Sequence, residues 1–416
     1  MEQWHMNILF LSRWYPDPPD NGSKLRIFHL LRQLSEVYTV DLISFTSEPP
    51  DPEKSRGLST FCRKIWTAEY IPFQPGKLGG LSGLFSSTPR SVTATFSAEM
   101  DQLVKTAVSE NRYDVVIASQ IDMIPYAARL DVPVRLLEEV ELTSMWEQYA
   151  AQRNPFKRLL RFFTWQKLKG YLRRSLKDFH ACTVVSDEER ARLMRVVPRM
   201  KDVAVIPNGV DTAFMSGDFG PLEPDSLVYN GALTYKANYD AMAYFLQEIF
   251  PRIQSGRPGV RLYITGKTDG VRLDKLRLDS SVVFTGYLGD IRPRVATSWV
   301  NVVPLRQGGG TRLKILESLA LGTPVVSTAK GAEGLHLRAG EDYLRADSPA
   351  AFADATLRLL RNEKMRCELS ETGRKKVQDL YDWEIVGERL NDFIAHIAAT
   401  AEQSPRMPVT GETITE

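Results

Sequence analysis

Short apolar runs recur along the chain and alternate with stretches whose apolar residues fall three or four apart. Asn7–Ser12 reads as a buried strand. Ser23–Leu34 follows as a helix, with Ser23 as its cap and Leu25, Phe28, Leu31 and Leu34 on one face. Tyr38–Phe45, Asp114–Ala118, Val132–Leu137 and Phe179–Val185 are further strands. The last leads into a helix whose opening, Ser186-Asp187-Glu188-Glu189, has the pattern of a capping box. The rhythm then restarts. Leu227–Asn230, Val260–Thr265, Val282–Thr285, Val300–Leu305 and Pro324–Ser327 are strands with helical patterns between them. Strands that alternate with helices predict parallel, doubly wound sheets. Pro, Gly and Asp gather over Pro207–Pro224, which reads as a linker. Pro72–Ser97 reads as a loop-rich insertion, and the polar Ser404–Glu416 as a disordered tail.

A chain of 416 residues is too long for one core and suits two domains. Lysine and arginine number 53 against 51 acids, so no global field favours nucleic acid. The three cysteines form no CxxC pair, which leaves neither a zinc site nor a disulfide framework and suits a reducing cytosol. The apolar run Ile8–Leu11 is too short for a signal peptide or a membrane span.

The most informative segment runs from Val302 to Glu317. A buried strand ends at Leu305, Gly308, Gly309 and Gly310 follow, and a helix begins near Thr311. Glycines let backbone N–H groups approach a ligand, and a helix start adds unpaired donors with a partial positive charge. That combination predicts a diphosphate cradle at the carboxyl end of a strand. Arg312 and Lys314 add cations. Glu317, about two turns along, is placed to accept from a ribose diol. The spacing is not that of a Walker A loop, since no Gly-Lys-Ser/Thr follows.

These residues resemble the donor-site signature of the family 4 glycosyltransferases, which have the GT-B fold. Asn7–Pro16 with Asp20-Asn21-Gly22-Ser23 is similar to the family's first strand and glycine loop. Val184-Val185-Ser186 and Ile206–Asp211 resemble its inter-domain stretch, and Leu316–Val326 its donor helix and following strand. Tyr381-Asp382-Trp383-Glu384 resembles the turn before its last helix. The resemblance implies an α/β protein of two Rossmann-like doubly wound domains facing a cleft. Residues 1–206 would form an acceptor domain and 207–380 a donor domain. Residues 381–400 would return to the first domain as a helix, with 401–416 as a tail. A subgroup associated with exopolysaccharide assembly shares the GGGTR-type loop. Two departures stand out. The family's first glutamate would fall at Gly309, and its Arg after the first strand of the donor domain falls at Ala232, with Lys236 displaced by one place.

The implied chemistry is transfer of a sugar from a nucleotide-diphosphate donor, with retention at the anomeric carbon and no cofactor. Arg312, Lys314 and Lys236 are the candidate catalytic cations. Gly22, Gly231, Tyr287, Gly308, Gly309, Gly310, Thr311 and Glu317 are the candidate donor-binding residues. No Asp-x-Asp pair follows a strand, so no catalytic metal is expected. Lys24, Gln120 and Glu139 are the candidate acceptor contacts, the acceptor being a carbohydrate, a lipid-linked glycan or a small molecule. Lys24, Arg26 and His29 otherwise read as solvated charges on the first helix, and at least one of Glu138, Glu139 and Glu141 as solvent-facing. The segment Phe156–Lys177 holds eight cations and no acid between apolar residues. It reads either as a helix packed on its sheet or as a peripheral contact with the inner face of a membrane from the cytoplasm. The rival functions are a nucleotide-sugar epimerase of the same fold and a non-catalytic nucleotide-sugar-binding subunit.

Overall fold

The computed structural model describes residues 6–47, 56–70, 72, 86–310 and 312–403. Most of the loop-rich stretch after Pro72 and all of Ser404–Glu416 lie outside the described residues, although a short helix, Arg90–Ala94, closes the first of these. By its internal contacts the chain forms two units, Met1–Pro207 with Val386–Glu416, and Asn208–Ile385.

The first unit is built on seven strands: β1 (Asn7–Ser12), β2 (Thr39–Thr46), β3 (Lys64–Glu69), β4 (Val115–Ser119), β5 (Val134–Glu138), β6 (Ala181–Val184) and β7 (Asp202–Val205). All pairs are parallel, in the order β3-β2-β1-β4-β5-β6-β7. Such a sheet is covered on both faces, and Ile8, Leu9, Phe10 and Leu11 are fully buried. The second unit has β8 (Glu223–Asn230), β9 (Arg261–Thr265), β10 (Val282–Gly286), β11 (Ser298–Val303), β12 (Val325–Ser327) and β13 (Leu344–Arg345). Its order is β10-β9-β8-β11-β12-β13, again parallel. The strand order reverses at β1/β4 in one sheet and at β8/β11 in the other. Open α/β sheets bind ligands beyond the carboxyl ends of such strand pairs.

β3, β7 and β13 have no counterpart in the hydrophobic pattern. All three are sheet edges: β3 mixes polar with apolar residues, β13 is two residues long, and β7 is a four-residue strand that runs straight into Ile206-Pro207. The first helix spans Gly22–Ser35, and its cap is Asn21, not Ser23: the Asn21 side chain accepts from the Lys24 N–H at 3.1 Å. The capping box at Ser186 is half made. Ser186 Oγ accepts from the Glu189 N–H at 3.3 Å, but the Glu189 carboxylate receives the N–H groups of Leu142 and Thr143, both at 2.9 Å.

The Pro207–Pro224 segment is pinned where it begins. Val210 bridges to Asp382, and a Cβ on Gly209 would lie 2.7 Å from the Tyr381 carbonyl oxygen. The helix Trp383–Glu402 counts with the first unit from Val386 onward. It lies close on the first helix: Gly387 has room for no side chain beside Gln33, and Tyr38 Oη donates to the Asn391 carbonyl at 3.1 Å.

Two of the charges expected in solvent are inside. Arg26 is wholly buried and His29 nearly so, because both share a face of the first helix with Leu30 and Gln33. Helical spacing cannot distinguish a solvated cation from one whose partner comes from a distant strand.

Candidate functional site

In the second unit, four segments meet at the β8/β11 switch point. β8 ends at Asn230 and turns through Gly231 into the helix Lys236–Tyr244. β11 ends at Val303 and leads through the glycine loop to the helix Leu313–Ala320. Gly308 and Gly310 take φ of 108° and 77°, a region that side chains rarely adopt. The loop rests on the neighbouring helix: Arg306 pairs with Asp240 at 2.7 Å, and a Cβ on Gly308 would lie 3.2 Å from that of Ala237. Thr311 lies outside the described residues.

Arg312 folds back on its own loop. Its Nη1 donates to the Gly309 carbonyl at 2.9 Å and its Nη2 to the Gly308 carbonyl at 2.6 Å, with the Glu333 carboxylate 3.8 Å away. The guanidinium therefore fixes the glycine turns and leaves a positive charge beneath them.

Lys314 points the other way, into a polar pocket of β8. Its Nζ donates to Tyr229 Oη and to Asn238 Oδ1, each at 2.9 Å, and lies 4.2 Å from the Tyr229 ring centre. Burial pulls its pKa down to about 7, and the neighbouring Arg312 cation pulls in the same direction. A Cβ on Gly231 would sit 2.7 Å from this Nζ. The ammonium thus stands against the loop where the resemblance places the family's missing Arg and displaced Lys. Lys236 itself is exposed at its helix start.

One turn on, Glu317 Oε2 accepts from Asn230 Nδ2 at 3.0 Å. Asn301 Nδ2 donates to Asn230 Oδ1 at 2.8 Å and also reaches Ser318. Burial raises the Glu317 pKa, against the pull of Lys314. Lys314 and Glu317 both keep some exposed surface while sitting deep enough for desolvation to govern them. Tyr287, after β10, is exposed, with Lys267 Nζ 5.5 Å from its ring centre. Sequence reasoning missed Tyr229, Asn230, Asn238 and Asn301. The available signal was two asparagines in strands that otherwise read as buried.

In the first unit, the ends of β1, β4 and β5 meet beside the start of the first helix, where Gly22 is the first helical residue and Lys24 pairs with Asp20 at 3.1 Å. Arg26 Nε reaches Glu138 Oε1 at 2.7 Å, and Ser119 Oγ donates to the other carboxylate oxygen at 2.8 Å. Glu138 is therefore a buried structural partner, and Glu141 is the exposed member of the acidic trio. Gln120 and Glu139, directly after β4 and β5, hold φ of 73° and 58°. Positive φ at bulky residues costs free energy and clusters at functional sites. Gln120 Nε2 donates to Glu139 Oε2 at 3.2 Å. Burial and the adjacent Glu138 push the Glu139 pKa up to about 7. Arg13, missed from sequence, pairs with Asp122 at 2.5 Å and stacks on Trp14 and Tyr70.

Two family models match in succession: Glycosyltransferase Family 4 over residues 20–214 and Glycosyl transferases group 1 over residues 224–362. An uncharacterized 44.6 kDa protein in the cps region of Klebsiella pneumoniae is 20% identical over 90% of this chain and 96% of its own. Among solved structures, the sucrose-phosphate synthase of Thermosynechococcus elongatus superposes with a TM-score of 0.68 at 20% identity, over 95% of this chain and all of its own. The Anabaena protein HepE, solved with UDP and glucose, does so with a TM-score of 0.66 at 14% identity, over 94% of this chain and all of its own. These likenesses bear out the two Rossmann-like domains of the GT-B type.

Proposed function

The chain belongs to the group 1, family 4 glycosyltransferases, and from that premise we propose that it moves a sugar, with retention and without a metal, from a nucleotide-diphosphate donor to a carbohydrate, lipid-linked or small-molecule acceptor. The observation that carries this reading is the arrangement of Lys314, Glu317 and Asn230 beside the glycine loop at the β8/β11 switch point. A carboxylate oriented by an amide at one oxygen suits a ribose diol at the other. The loop and helix start offer N–H groups to a diphosphate. The Lys314 ammonium and the Arg312 guanidinium supply positive charge where the leaving group becomes more negative. HepE, solved with UDP and glucose, supports a nucleoside diphosphate sugar as donor. The capsule-region relative supports a role in exopolysaccharide assembly.

In the proposed step the anomeric carbon–oxygen bond to the diphosphate breaks as the bond to the acceptor oxygen forms on the same face. The acceptor proton passes to a diphosphate oxygen. Gln120 and Glu139 are the proposed acceptor contacts, Glu139 accepting from an acceptor hydroxyl. Cations already present beside the loop support chemistry without a divalent ion.

Titration of the purified protein with UDP-, GDP- and ADP-sugars should reveal one binding donor. Transfer from that donor should survive chelator, and the product should keep the donor's anomeric configuration by NMR. Inversion, or activity restored only by manganese or magnesium, would overturn those parts. Binding without transfer to any acceptor would favour a non-catalytic subunit.

A further inference from the structure

Given the donor site proposed above, on which this reading rests, we infer that Glu333 accepts a hydrogen bond from a hydroxyl of the donor sugar. It meets the sugar on the side of the glycine loop away from Glu317.

The loop has no side chains of its own over Gly308, Gly309 and Gly310, so groups that read a ligand lying on it come from the strands beside β11. On one side β8 brings Asn230, which orients Glu317. On the other side lies β12, and its exit, residues 328–333, closes on the loop's entrance. Thr328 Oγ1 donates to the Leu305 carbonyl, just before the loop, and receives the Gly331 N–H at 2.9 Å. The Ala332 N–H donates to the Thr328 carbonyl at 3.2 Å. A Cβ on Gly331 would lie 2.8 Å from the Val303 carbonyl oxygen, so only glycine lets this turn press on the end of β11. Backbone contacts therefore set where Glu333 stands relative to the loop.

The Glu333 carboxylate is held at one oxygen. Its Oε2 accepts from Lys330 Nζ and lies 3.8 Å from Arg312 Nη2, the nitrogen that donates to the Gly308 carbonyl at 2.6 Å. One guanidinium nitrogen thus stands between the carboxylate and the loop. The other oxygen, Oε1, has no partner among the described residues, and 38% of the side chain is exposed. A partly exposed lysine–glutamate pair three residues apart contributes little to stability, so folding alone does not account for a carboxylate fixed against the loop.

A diphosphate on the loop would repel this carboxylate, whereas a sugar hydroxyl is a donor that it accepts from strongly. The order of groups agrees. Along the carboxyl edge of the sheet come the Glu317–Asn230 pair beside β8, the loop after β11, and Glu333 after β12. A nucleotide sugar carries its ribose, diphosphate and sugar in the same order. β8 and β12 are two strand spacings apart, about 10 Å, a gap that a diphosphate bridges.

Calorimetry of the full chain with UDP, GDP and ADP identifies the nucleotide. The glucose, galactose, mannose and N-acetylglucosamine conjugates of that nucleotide identify the sugar. Glu333→Gln should weaken the best-bound conjugate about tenfold, and the free nucleoside diphosphate less than about twofold, at an unchanged thermal midpoint. With conjugates deoxygenated at one sugar hydroxyl at a time, one analogue should bind the parent and Glu333→Gln alike, and it marks the hydroxyl that is read. Should Glu333→Gln lower the midpoint, Glu333→Asp keeps the charge, shortens the reach and should show the same split. Glu317→Gln should weaken free diphosphate and conjugate together, so the donor site stands even where Glu333 falls. An equal loss of both ligands in Glu333→Gln overturns the inference, since the residue would then act only through Arg312 and the loop. Unchanged affinity for the conjugate overturns it too. A parent chain that binds none of these nucleotides removes the donor site itself, and the inference with it.

Discussion

Arg26 and Glu138, 112 positions apart in the chain, meet as a fully buried pair, Nε to Oε1 at 2.7 Å. Arg26 also donates to the carbonyls of Ile206 and Pro207 at 2.9 and 3.1 Å. One side chain thus ties the first helix, the end of β5 and the exit from β7. Removing one partner strands a charge in the interior. Arg26→Met should destabilise the first unit by about 3–5 kcal/mol, whereas Arg26→Met with Glu138→Met should recover much of that loss. Denaturant unfolding of the two variants checks this. Equal losses in both would mean that the backbone contacts of Arg26, and not its charge partner, matter.

Glu317→Gln keeps the shape of the side chain and the contact with Asn230 but removes the charge from the proposed ribose site. A charged hydrogen bond is worth about 1.5–3 kcal/mol, or roughly ten- to a hundredfold in affinity. Donor binding by calorimetry should weaken by that amount while kcat at saturation changes less. An unchanged donor affinity with turnover abolished would move Glu317 from binding to the reacting centre.

Arg312→Ala removes both bonds to the glycine-loop carbonyls. Faster hydrogen exchange at Gly308–Gly310 should accompany a turnover reduced by one to several orders of magnitude, on the scale of a lost transition-state donor of about 3 kcal/mol. Arg312→Lys should not rescue it, since an ammonium cannot reproduce the two-pronged hold. Normal exchange with lost turnover would assign Arg312 to the substrate alone.

Much of the fold was legible because buried parallel strands are written as continuous apolar runs. The glycine loop could be read for the same reason, since it interrupts such a run and precedes a helical pattern. The edges β3 and β13 were not, because one mixes polar with apolar residues and the other is two residues long, and β7 was not because its short run Val203–Val205 leads straight into the Ile206-Pro207 segment. Side-chain direction was the main loss at the site. Arg312 and Lys314 are two residues apart and look alike as cations, yet one turns under its own loop and the other into β8. The partners that decide this, Tyr229 and Asn238, lie more than seventy positions away.

Glu139 carries a raised pKa of about 7. Folding then favours its protonated form, so the stability it contributes is full below the ordinary glutamate value and is lost as pH rises toward 7. Glu139→Gln should stabilise the chain near pH 8 by on the order of 3 kcal/mol, read as a raised thermal midpoint, and change little near pH 4. If Glu139 also receives the acceptor hydroxyl, the same variant will raise the acceptor KM. A stability gain with unchanged acceptor kinetics would confine the residue to strain.

The Lys314 pKa is lowered to about 7, which has one consequence for folding and the opposite one for binding. The unfolded chain holds its lysine proton to about pH 10.4, so between about 7 and that value it binds more protons than the folded state, and stability rises with pH. A bound diphosphate favours the ammonium and raises its pKa, so binding takes up a proton once free Lys314 has lost it. Affinity for a nucleotide-diphosphate sugar should therefore be greatest below about pH 7 and fall above it, by up to about tenfold per pH unit. The intact nucleotide sugar is the proper probe, because a free nucleoside diphosphate has a terminal phosphate that itself titrates near neutrality. Lys314→Met should bind more weakly at low pH and show a flat profile. Calorimetry in two buffers of different ionisation enthalpy would count the protons taken up near pH 8. Proton uptake in the parent chain that disappears in Lys314→Met places the ammonium at the diphosphate. An affinity independent of pH in the parent chain would mean that Lys314 only braces Tyr229 and Asn238, and that the positive charge felt by the leaving group comes from Arg312.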